Sequence, residues 1–189
     1  MPQKQDALKL LNEWVSSDSL KKHCLAVAYA MEFYAKKYGE DKDLWWMCGL
    51  LHDMDYEKFP DVNIHPAEGC KELRKQGYDE KIVEAILAHN EKTGIKRNSK
   101  MAKCLFAVDE LCGLIVALAK VRPDNFKTMT QESVKKALKK KDFAKNINRE
   151  DIIKGIAELE VNENEHFDLV IGSLQGISSQ LGFNNDNKN

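Results

Sequence analysis

The sequence lacks the patterns that mark disulfide-rich, membrane-spanning or strongly charged proteins. Its five cysteines are an odd number, and no two of them form a C-x-x-C pair. This argues against a disulfide framework and against a zinc site built from thiolates. The longest apolar run, LCGLIVALA, has about half the length that a bilayer requires. Because the formal net charge is −1, no global basic field would attract nucleic acid or a membrane surface.

The first residues, MPQKQDALKL, also lack the apolar core of a signal sequence. We therefore expect a cytoplasmic protein whose thiols are reduced and buried. Hydrophobic residues make up 43% of the 189 residues and charged residues 31%, a composition typical of a globular protein that can form a core. The length predicts one domain, or one domain with a small appendage.

Helical periodicity dominates the chain, since strand-like alternation is nearly absent and only four prolines interrupt it. We predict an all-α fold with a helical core over residues 1–125, C-terminal helices packed on that core over 126–182, and a disordered tail over 183–189. Apart from the core helices, the pattern predicts three later helices at about 130–141, 148–160 and 163–181.

Several polar side chains interrupt the apolar helix faces. Asp109 is the clearest case, because it shares a face with Leu105 and Cys112 in the most apolar helix. A lone buried aspartate is costly unless it is paired or bound to a metal. Taken singly, each histidine is more often a satisfied core residue, and a salt bridge could explain the aspartate. Taken together, imidazoles and carboxylates recur on successive segments: His23, His52, Asp53, His65, His89 and Asp109.

Packed helices could bring these six side chains to one internal point, as in carboxylate–histidine bundles. Because the set contains no cysteine, it favours a hard or borderline divalent ion: manganese, iron, cobalt, nickel, magnesium or zinc. For His52 and Asp53 to share such a site, the helix must end there, since neighbouring helical residues point about 100° apart.

The order H…HD…H…H…D resembles that of the HD-domain superfamily of metal-dependent phosphohydrolases. LLHDMDYEKF resembles the family's LLHDIGK element, with Met54-Asp55-Tyr56 where Ile-Gly-Lys is usual. HPAEG resembles HPEIG, and ILAHNE resembles LSHHE with Asn90 in place of the second histidine. FAVDELCGL, followed by VRP, resembles VADVFDAL…RP. The resemblance covers about residues 18–125 and is closest to short, stand-alone HDIG-type hydrolases; the absence of a GYP motif argues against cyclic-di-GMP cleavage.

The resemblance implies an HD-type helical bundle that binds one or two divalent ions. One ion would be bound by His23, His52, Asp53 and Asp109. The second would be bound by His65 and His89, with Asp53 as a bridging carboxylate. The implied activity is hydrolysis of a phosphomonoester or phosphodiester, with nucleotides among the candidates, by a metal-activated water.

Other residues are candidates for supporting roles. Those that could orient the metal ligands are Asp55, Glu68, Asn90 and Glu110. Solvation or helix capping is the simpler explanation for each of them. Arg122 and Lys58 could bind a substrate phosphate. We expect the partner to be a small phosphorylated molecule, and neither a nucleic acid polymer nor a membrane.

Two other classes of function stay open at this point. The same ligand order occurs in HD-fold di-iron oxygenases that act on small polar substrates, and iron content with oxygen uptake would discriminate them. A regulatory module with a vestigial site is the third possibility, although the complete ligand set argues against it. The sequence determines neither the substrate, nor the metal, nor the oligomeric state.

Overall fold

The computed structural model describes residues 2–183, which form α-helices, one short 3₁₀ helix and no β-strand within that range. The all-α prediction is therefore confirmed for these residues. No helix in the described range is both long and apolar enough to cross a membrane. The α-helices are α1 (Lys4–Trp14), α2 (Asp18–Tyr38), α3 (Lys42–Leu51), α4 (Ala67–Lys75), α5 (Glu80–His89), α6 (Lys100–Val121), α7 (Gln131–Lys139), α8 (Arg149–Leu159) and α9 (Glu163–Gln175).

Side-chain caps determine where several helices begin. The Ser17 hydroxyl accepts the Leu20 N–H at the start of α2, and the Ser99 hydroxyl caps α6 in the same way. Each satisfies a backbone donor that has no partner inside the helix. The helix α9 is shorter than the predicted 163–181 segment, because the chain beyond Gln175 continues in turns. Pro66 precedes α4 as its N-cap and does not lie in its first turn.

Two glycines allow the central helices to approach closely. A Cβ built on Gly49 of α3 would lie 2.7 Å from the Ala28 Cα of α2. A Cβ on Gly155 of α8 would lie 2.6 Å from the Ala107 Cα of α6. Both distances are shorter than real Cβ contacts, so the backbones of these helix pairs touch where the glycines lie.

The C-terminal helices are attached to the core by buried polar contacts. On α9, the His166 ring bonds through Nε2 to the Ala107 carbonyl at 3.1 Å and through Nδ1 to the Tyr34 hydroxyl. One side chain thereby joins α9 to both α2 and α6. The division of the chain at residue 125 stays a prediction, although these contacts agree with helices packed on a core.

Phe183, the first residue of the predicted disordered tail, contacts the rest of the chain. The Phe183 N–H donates to the Ser178 carbonyl at 2.9 Å, and its ring contacts Phe126 with centroids 5.0 Å apart. The rest of the predicted tail, residues 184–189, lies outside the described residues.

Candidate metal centre

The six histidines and aspartates singled out in the sequence converge on one point of the bundle. Each of them lies near the end of a helix or inside a long helix. His52 follows the last residue of α3, and the chain then turns, so Asp53 can face the same point. His89 is the last residue of α5. The remaining three come from α2, from the loop before α4 and from the middle of α6: His23, His65 and Asp109.

Asp53 lies at the centre of this cluster and faces a different pair of histidines with each carboxylate oxygen. Its Oδ1 lies 3.2 Å from Nε2 of His65 and 3.5 Å from Nε2 of His89. Its Oδ2 lies 3.4 Å from Nε2 of His52 and 3.7 Å from Nε2 of His23. The carboxylate is therefore placed to be shared between two groups of ligands.

Asp109 completes one of the two groups. Its Oδ1 lies 3.0 Å from Nε2 of His23 and 3.3 Å from Nε2 of His52. Within each group, the potential ligand atoms lie within 4.8 Å of one another. The first group consists of His23, His52 and Asp109, and the second consists of Asp53, His65 and His89.

Hydrogen bonds at Nδ1 orient three of the four imidazoles. The Nδ1 atom of His52 donates to the Gly49 carbonyl at 2.8 Å, and that of His89 donates to the Ile86 carbonyl. The Nδ1 atom of His65 lies 2.6 Å from an Asp55 oxygen. Because carbonyl and carboxylate oxygens only accept, the proton of each neutral ring lies on Nδ1 and the Nε2 lone pair points into the cluster.

The cluster therefore brings acceptors together and provides too few donors for them. Nε2 of His52 is fully buried and has no hydrogen-bond partner in the described part of the chain. Lone pairs facing carboxylate oxygens repel each other unless a proton or a cation lies between them. Imidazole nitrogens and carboxylate oxygens are also the donor atoms that borderline divalent ions prefer. The residues thus fit a divalent metal.

The pKa values of the clustered side chains also indicate that the cluster requires positive charge, from protons or from a cation. Burial would lower the pKa of His52, but the carboxylates of Asp53 and Asp109 outweigh it and raise that pKa well above the usual range. Burial also lowers the pKa of His65, yet the Asp53 and Asp55 carboxylates beside its two ring nitrogens favour the protonated ring and raise it to about 9. Burial raises the pKa of Asp109, and the neighbouring His52 reverses this and lowers it below the usual range. A divalent cation would supply this charge without protons.

The cluster is open to solvent on one side. The His52 side chain is fully buried, and those of His65 and His89 are nearly so. By contrast, His23 retains 24% and Asp109 21% of their side-chain exposure. A ligand would therefore reach the cluster from the side where α2 and α6 meet.

The comparisons with known proteins agree with this arrangement. A family model described as HD domain matches residues 20–114, half of the chain, and that segment contains all six clustered residues. The chain belongs to the HD-domain family. Ribonuclease Y of Geobacter sulfurreducens is 35% identical over 98 residues, which are 51% of this chain and 18% of that protein. The tRNA (cytidine(56)-2'-O)-methyltransferase of Thermoplasma volcanium is 30% identical over 89 residues, 47% of this chain and 26% of that protein.

The chain thus spans 18% of the length of the ribonuclease Y proteins that it matches. A similar identity, 34% over 98 residues, relates it to ribonuclease Y of Geobacter metallireducens. No solved structure matches the chain. The similarity therefore concerns the HD domain and not the whole of these relatives.

Of the supporting candidates, Asp55 bonds directly to the ring of a clustered histidine. It is fully buried, and its two oxygens accept from His65 Nδ1 at 2.6 Å and from the Gly69 N–H at 2.8 Å. It thereby connects the loop that carries His65 to the start of α4. The segment MDY, which stands where IGK is usual in the motif it resembles, thus contributes a carboxylate that bonds to one of the candidate metal ligands.

The other supporting candidates occupy different positions. The Asn90 amide donates to the main-chain carbonyl of His65 at 2.6 Å, so it holds the loop and does not enter the cluster. Glu110 accepts the Asn148 N–H at 3.2 Å, and burial together with Asp109 raises its pKa to about 7. Glu68 pairs with Lys71 on the surface of α4.

The structure does not bring Arg122 to the HD-domain cluster. Arg122 follows Asp109 by thirteen residues, about 20 Å along the axis of α6. Its guanidinium bonds instead to Asp124, Thr128 and Ser133 in the loop that follows. That Arg122 binds a substrate phosphate stays a prediction, and these contacts place its guanidinium outside the cluster.

Lys58, the second predicted phosphate ligand, also lies apart from the cluster. Its ammonium lies 4.3 Å from the centre of the Trp14 ring. In the described residues it makes no ion pair or hydrogen bond with the six clustered side chains. In this cation–π contact the Lys58 ammonium packs against a ring of α1.

Two further lysines, which the sequence analysis did not single out, lie beside His23. Lys22 and Lys120 line a cavity together with His23. In the sequence both look like ordinary lysines of helix surfaces. One signal could have indicated Lys120: it lies eleven residues after Asp109, a spacing of about three helical turns that places both on one face of α6.

Proposed function

We propose that this HD domain hydrolyses a phosphate ester with one or two divalent ions bound by His23, His52, Asp53, His65, His89 and Asp109. One observation carries the proposal: the two oxygens of Asp53 face two separate pairs of histidine Nε2 atoms. Divalent ions bound there would lower the pKa of a bound water and polarise a phosphoryl oxygen. The identity of the metal is open among manganese, iron, cobalt, nickel, magnesium and zinc.

The protein's own contribution is to hold the ligands in one protonation state and one orientation. The main-chain carbonyls of Gly49 and Ile86 keep the protons of His52 and His89 on Nδ1. Asp55 does the same for His65 and adds negative charge behind the ring. Rigid donors that need no rearrangement during the reaction are the general source of electrostatic catalysis.

A small phosphorylated molecule remains the substrate that we propose. The cluster is open mainly on the side of His23 and Asp109, and the formal net charge of the chain is −1. A long nucleic acid would require an extended basic surface. Because a similar segment occurs in proteins named ribonuclease Y, a short RNA should nevertheless be included among the compounds tested.

The test is a metal and substrate panel on the full chain. The protein is stripped with a chelator and reloaded separately with each of the six candidate metals. It is then assayed with p-nitrophenyl phosphate, bis-p-nitrophenyl phosphate, nucleotides and a short RNA. We expect metal-dependent release of phosphate or p-nitrophenol that is lost in Asp53→Asn. The matched control is Asp168→Asn, which removes an exposed carboxylate of α9 and should behave like wild type.

Two results would contradict the proposal. The first is full metal occupancy with no hydrolysis of any compound. The second is iron retained through aerobic purification together with oxygen consumption on small polyols or hydroxyphosphonates, which would favour the di-iron oxygenase alternative.

A further inference from the structure

A cavity adjoins the exposed side of the candidate metal centre. Its volume is about 470 Å³, within the range of sites that bind small molecules. It lies between the first turns of α2, the second half of α6 and the chain that follows α9. Its lining consists of Ser19, Lys22, His23, Gly113, Val116, Ala117, Lys120, Leu181, Gly182 and Phe183.

His23 connects this cavity to the cluster. Its ring forms part of the cavity wall, and its Nε2 lies 3.0 Å from Asp109 Oδ1. His23 is also the most exposed histidine of the six clustered residues. A molecule bound in the cavity would therefore extend directly to the candidate ligands.

The charged groups in the cavity wall are of one sign. Lys22 and Lys120 both line the cavity, and none of the lining residues in the described part of the chain carries a carboxylate. Neither ammonium forms an ion pair or hydrogen bond with a protein group within residues 2–183. In a chain with 30 acidic and 29 basic residues, two unpaired lysines in one cavity favour an anionic ligand.

The two lysines stand at different distances from the cluster. Lys22 immediately precedes His23 in α2, and its Nζ would lie 2.9 Å from a Cβ built on Gly182, so it lies against the C-terminal segment. Lys120 lies about 16 Å beyond Asp109 along the axis of α6. The cavity thus extends from the cluster towards Lys120.

The wall between the cluster and Lys120 is apolar. Val116 and Ala117 lie one turn before Lys120 on α6, and Phe183 contributes a half-buried ring from the opposite side. Phe183 is held in place by its ring contact with Phe126. An apolar or aromatic body could pack here while its charged ends contact the cluster and the lysines.

We propose that Lys22 and Lys120 bind a second phosphate group of the substrate, while the first phosphate lies at the metal centre. The inference rests on the proposed phosphohydrolase function and specifies its substrate class: a small phosphate ester that carries a second phosphate, separated from the first by an apolar or aromatic body. The lysines are specificity-determining residues, and their substitution leaves the metal ligands intact.

The experiment compares two ligands that differ by one phosphate. Binding of biphenyl-4,4'-diyl bisphosphate, whose two phosphates lie at opposite ends of an aromatic body, and of biphenyl-4-yl phosphate to the metal-loaded full chain is measured by calorimetry. The variants are Lys22→Gln, Lys120→Gln and the double variant, and Lys22→Arg with Lys120→Arg tests rescue by charge. Lys21→Gln is the matched control, since Lys21 neighbours Lys22 on α2 and does not line the cavity. Metal content and hydrolysis of p-nitrophenyl phosphate are measured on every variant.

We expect the double glutamine variant to weaken binding of the bisphosphate by about tenfold or more, which is the loss of roughly one well-placed charge contact. Binding of the monophosphate, metal content and hydrolysis of p-nitrophenyl phosphate should stay within about twofold of wild type. The arginine variants should retain bisphosphate binding. Equal weakening for both ligands, no weakening, or the same effect in Lys21→Gln would overturn the inference.

The assay also separates this inference from the proposed function. If wild-type protein hydrolyses no phosphoester and still binds the bisphosphate through the two lysines, the proposed hydrolysis fails and the anion site stands. If it hydrolyses p-nitrophenyl phosphate and the lysine variants bind both biphenyl ligands like wild type, the hydrolysis stands and the anion site fails.

Discussion

Asp55 accepts the Nδ1 proton of His65 at 2.6 Å, and both side chains are buried. This pair links the segment MDY, which stands where IGK is usual in the motif it resembles, to one of the two candidate ion sites. Because Asp55 also accepts the Gly69 N–H, it fixes the loop and the ring together. Asp55 therefore bonds to a side chain of one candidate ion site, the group of Asp53, His65 and His89.

Substitution Asp55→Asn should weaken one ion more than the other. The amide removes the negative charge behind His65 and presents a donor to one of the two N–H groups that the carboxylate accepts. We expect the ion held by Asp53, His65 and His89 to bind about 10- to 100-fold more weakly. Titration calorimetry with the chosen metal measures this. Equal affinity at both sites before and after the change would contradict the role given to Asp55.

Substitutions of single candidate ligands should change the metal stoichiometry differently, according to the group of ligands that each residue belongs to. His65→Ala should reduce the metal stoichiometry from about two ions to one, because it removes one of the three ligands of its group. Asp53→Ala should lose both ions, since each of its oxygens faces one group. Elemental analysis of the dialysed proteins gives the count. An unchanged count in His65→Ala would mean a one-ion centre in which His65 serves another purpose.

His166 should make stability depend on pH. Burial lowers its pKa to about 4 in the folded chain, below the value of about 6.5 that is usual for unfolded chains. The folded state therefore disfavours the protonated ring: the contribution is complete above about pH 6.5 and is lost as the pH falls towards 4. The free energy of unfolding should fall by roughly 2 to 3 kcal/mol over this interval because of His166.

Urea denaturation at pH 7.5 and pH 4.5 tests this prediction. The variant His166→Gln lacks the titrating group and should show a smaller loss of stability between the two pH values than wild type. Other groups titrate in both proteins, so the difference between the two losses is the quantity that matters. If both proteins lose the same free energy, His166 does not have the lowered pKa.

The close approach of α2 and α3 should make Gly49 intolerant of substitution. In Gly49→Ala, the new Cβ would lie 2.7 Å from the Ala28 Cα, and the helices must separate. We expect a loss of about 1 to 3 kcal/mol in the free energy of unfolding. The matched control is Gly172→Ala in α9, where a Cβ would meet nothing within 4 Å.

Gly172→Ala should be neutral or stabilise by about 0.5 to 1 kcal/mol, because alanine is the better helix former. Thermal or urea unfolding of both variants gives the comparison. If Gly49→Ala and Gly172→Ala change the free energy of unfolding by similar amounts, close packing at Gly49 does not determine the effect of its substitution. Because His52 follows α3 directly, the metal affinity of Gly49→Ala should also be measured.

The sequence was sufficient for the helical class and for the family. Apolar residues at helical spacing predict helices independently of what those helices contact, and caps such as Ser99 act within a few residues. The order of the six candidate ligands can be read along the chain without knowing how the helices pack. They are His23, His52, Asp53, His65, His89 and Asp109. Because each residue type has few reasons to interrupt an apolar face, the list itself indicated a metal centre.

Only the tertiary structure decided how these residues meet and which of their neighbours take part. That Oδ1 and Oδ2 of Asp53 face different histidines depends on how α3 ends and how α5 and α6 pack beside it. Arg122 looked suitable in the sequence, but thirteen residues of helix carry it away from Asp109. Lys22 looked ordinary, yet it lines a cavity with His23 beside the chain that follows α9. Periodicity describes each helix alone, whereas a site is made of distances between helices, and packing determines those distances.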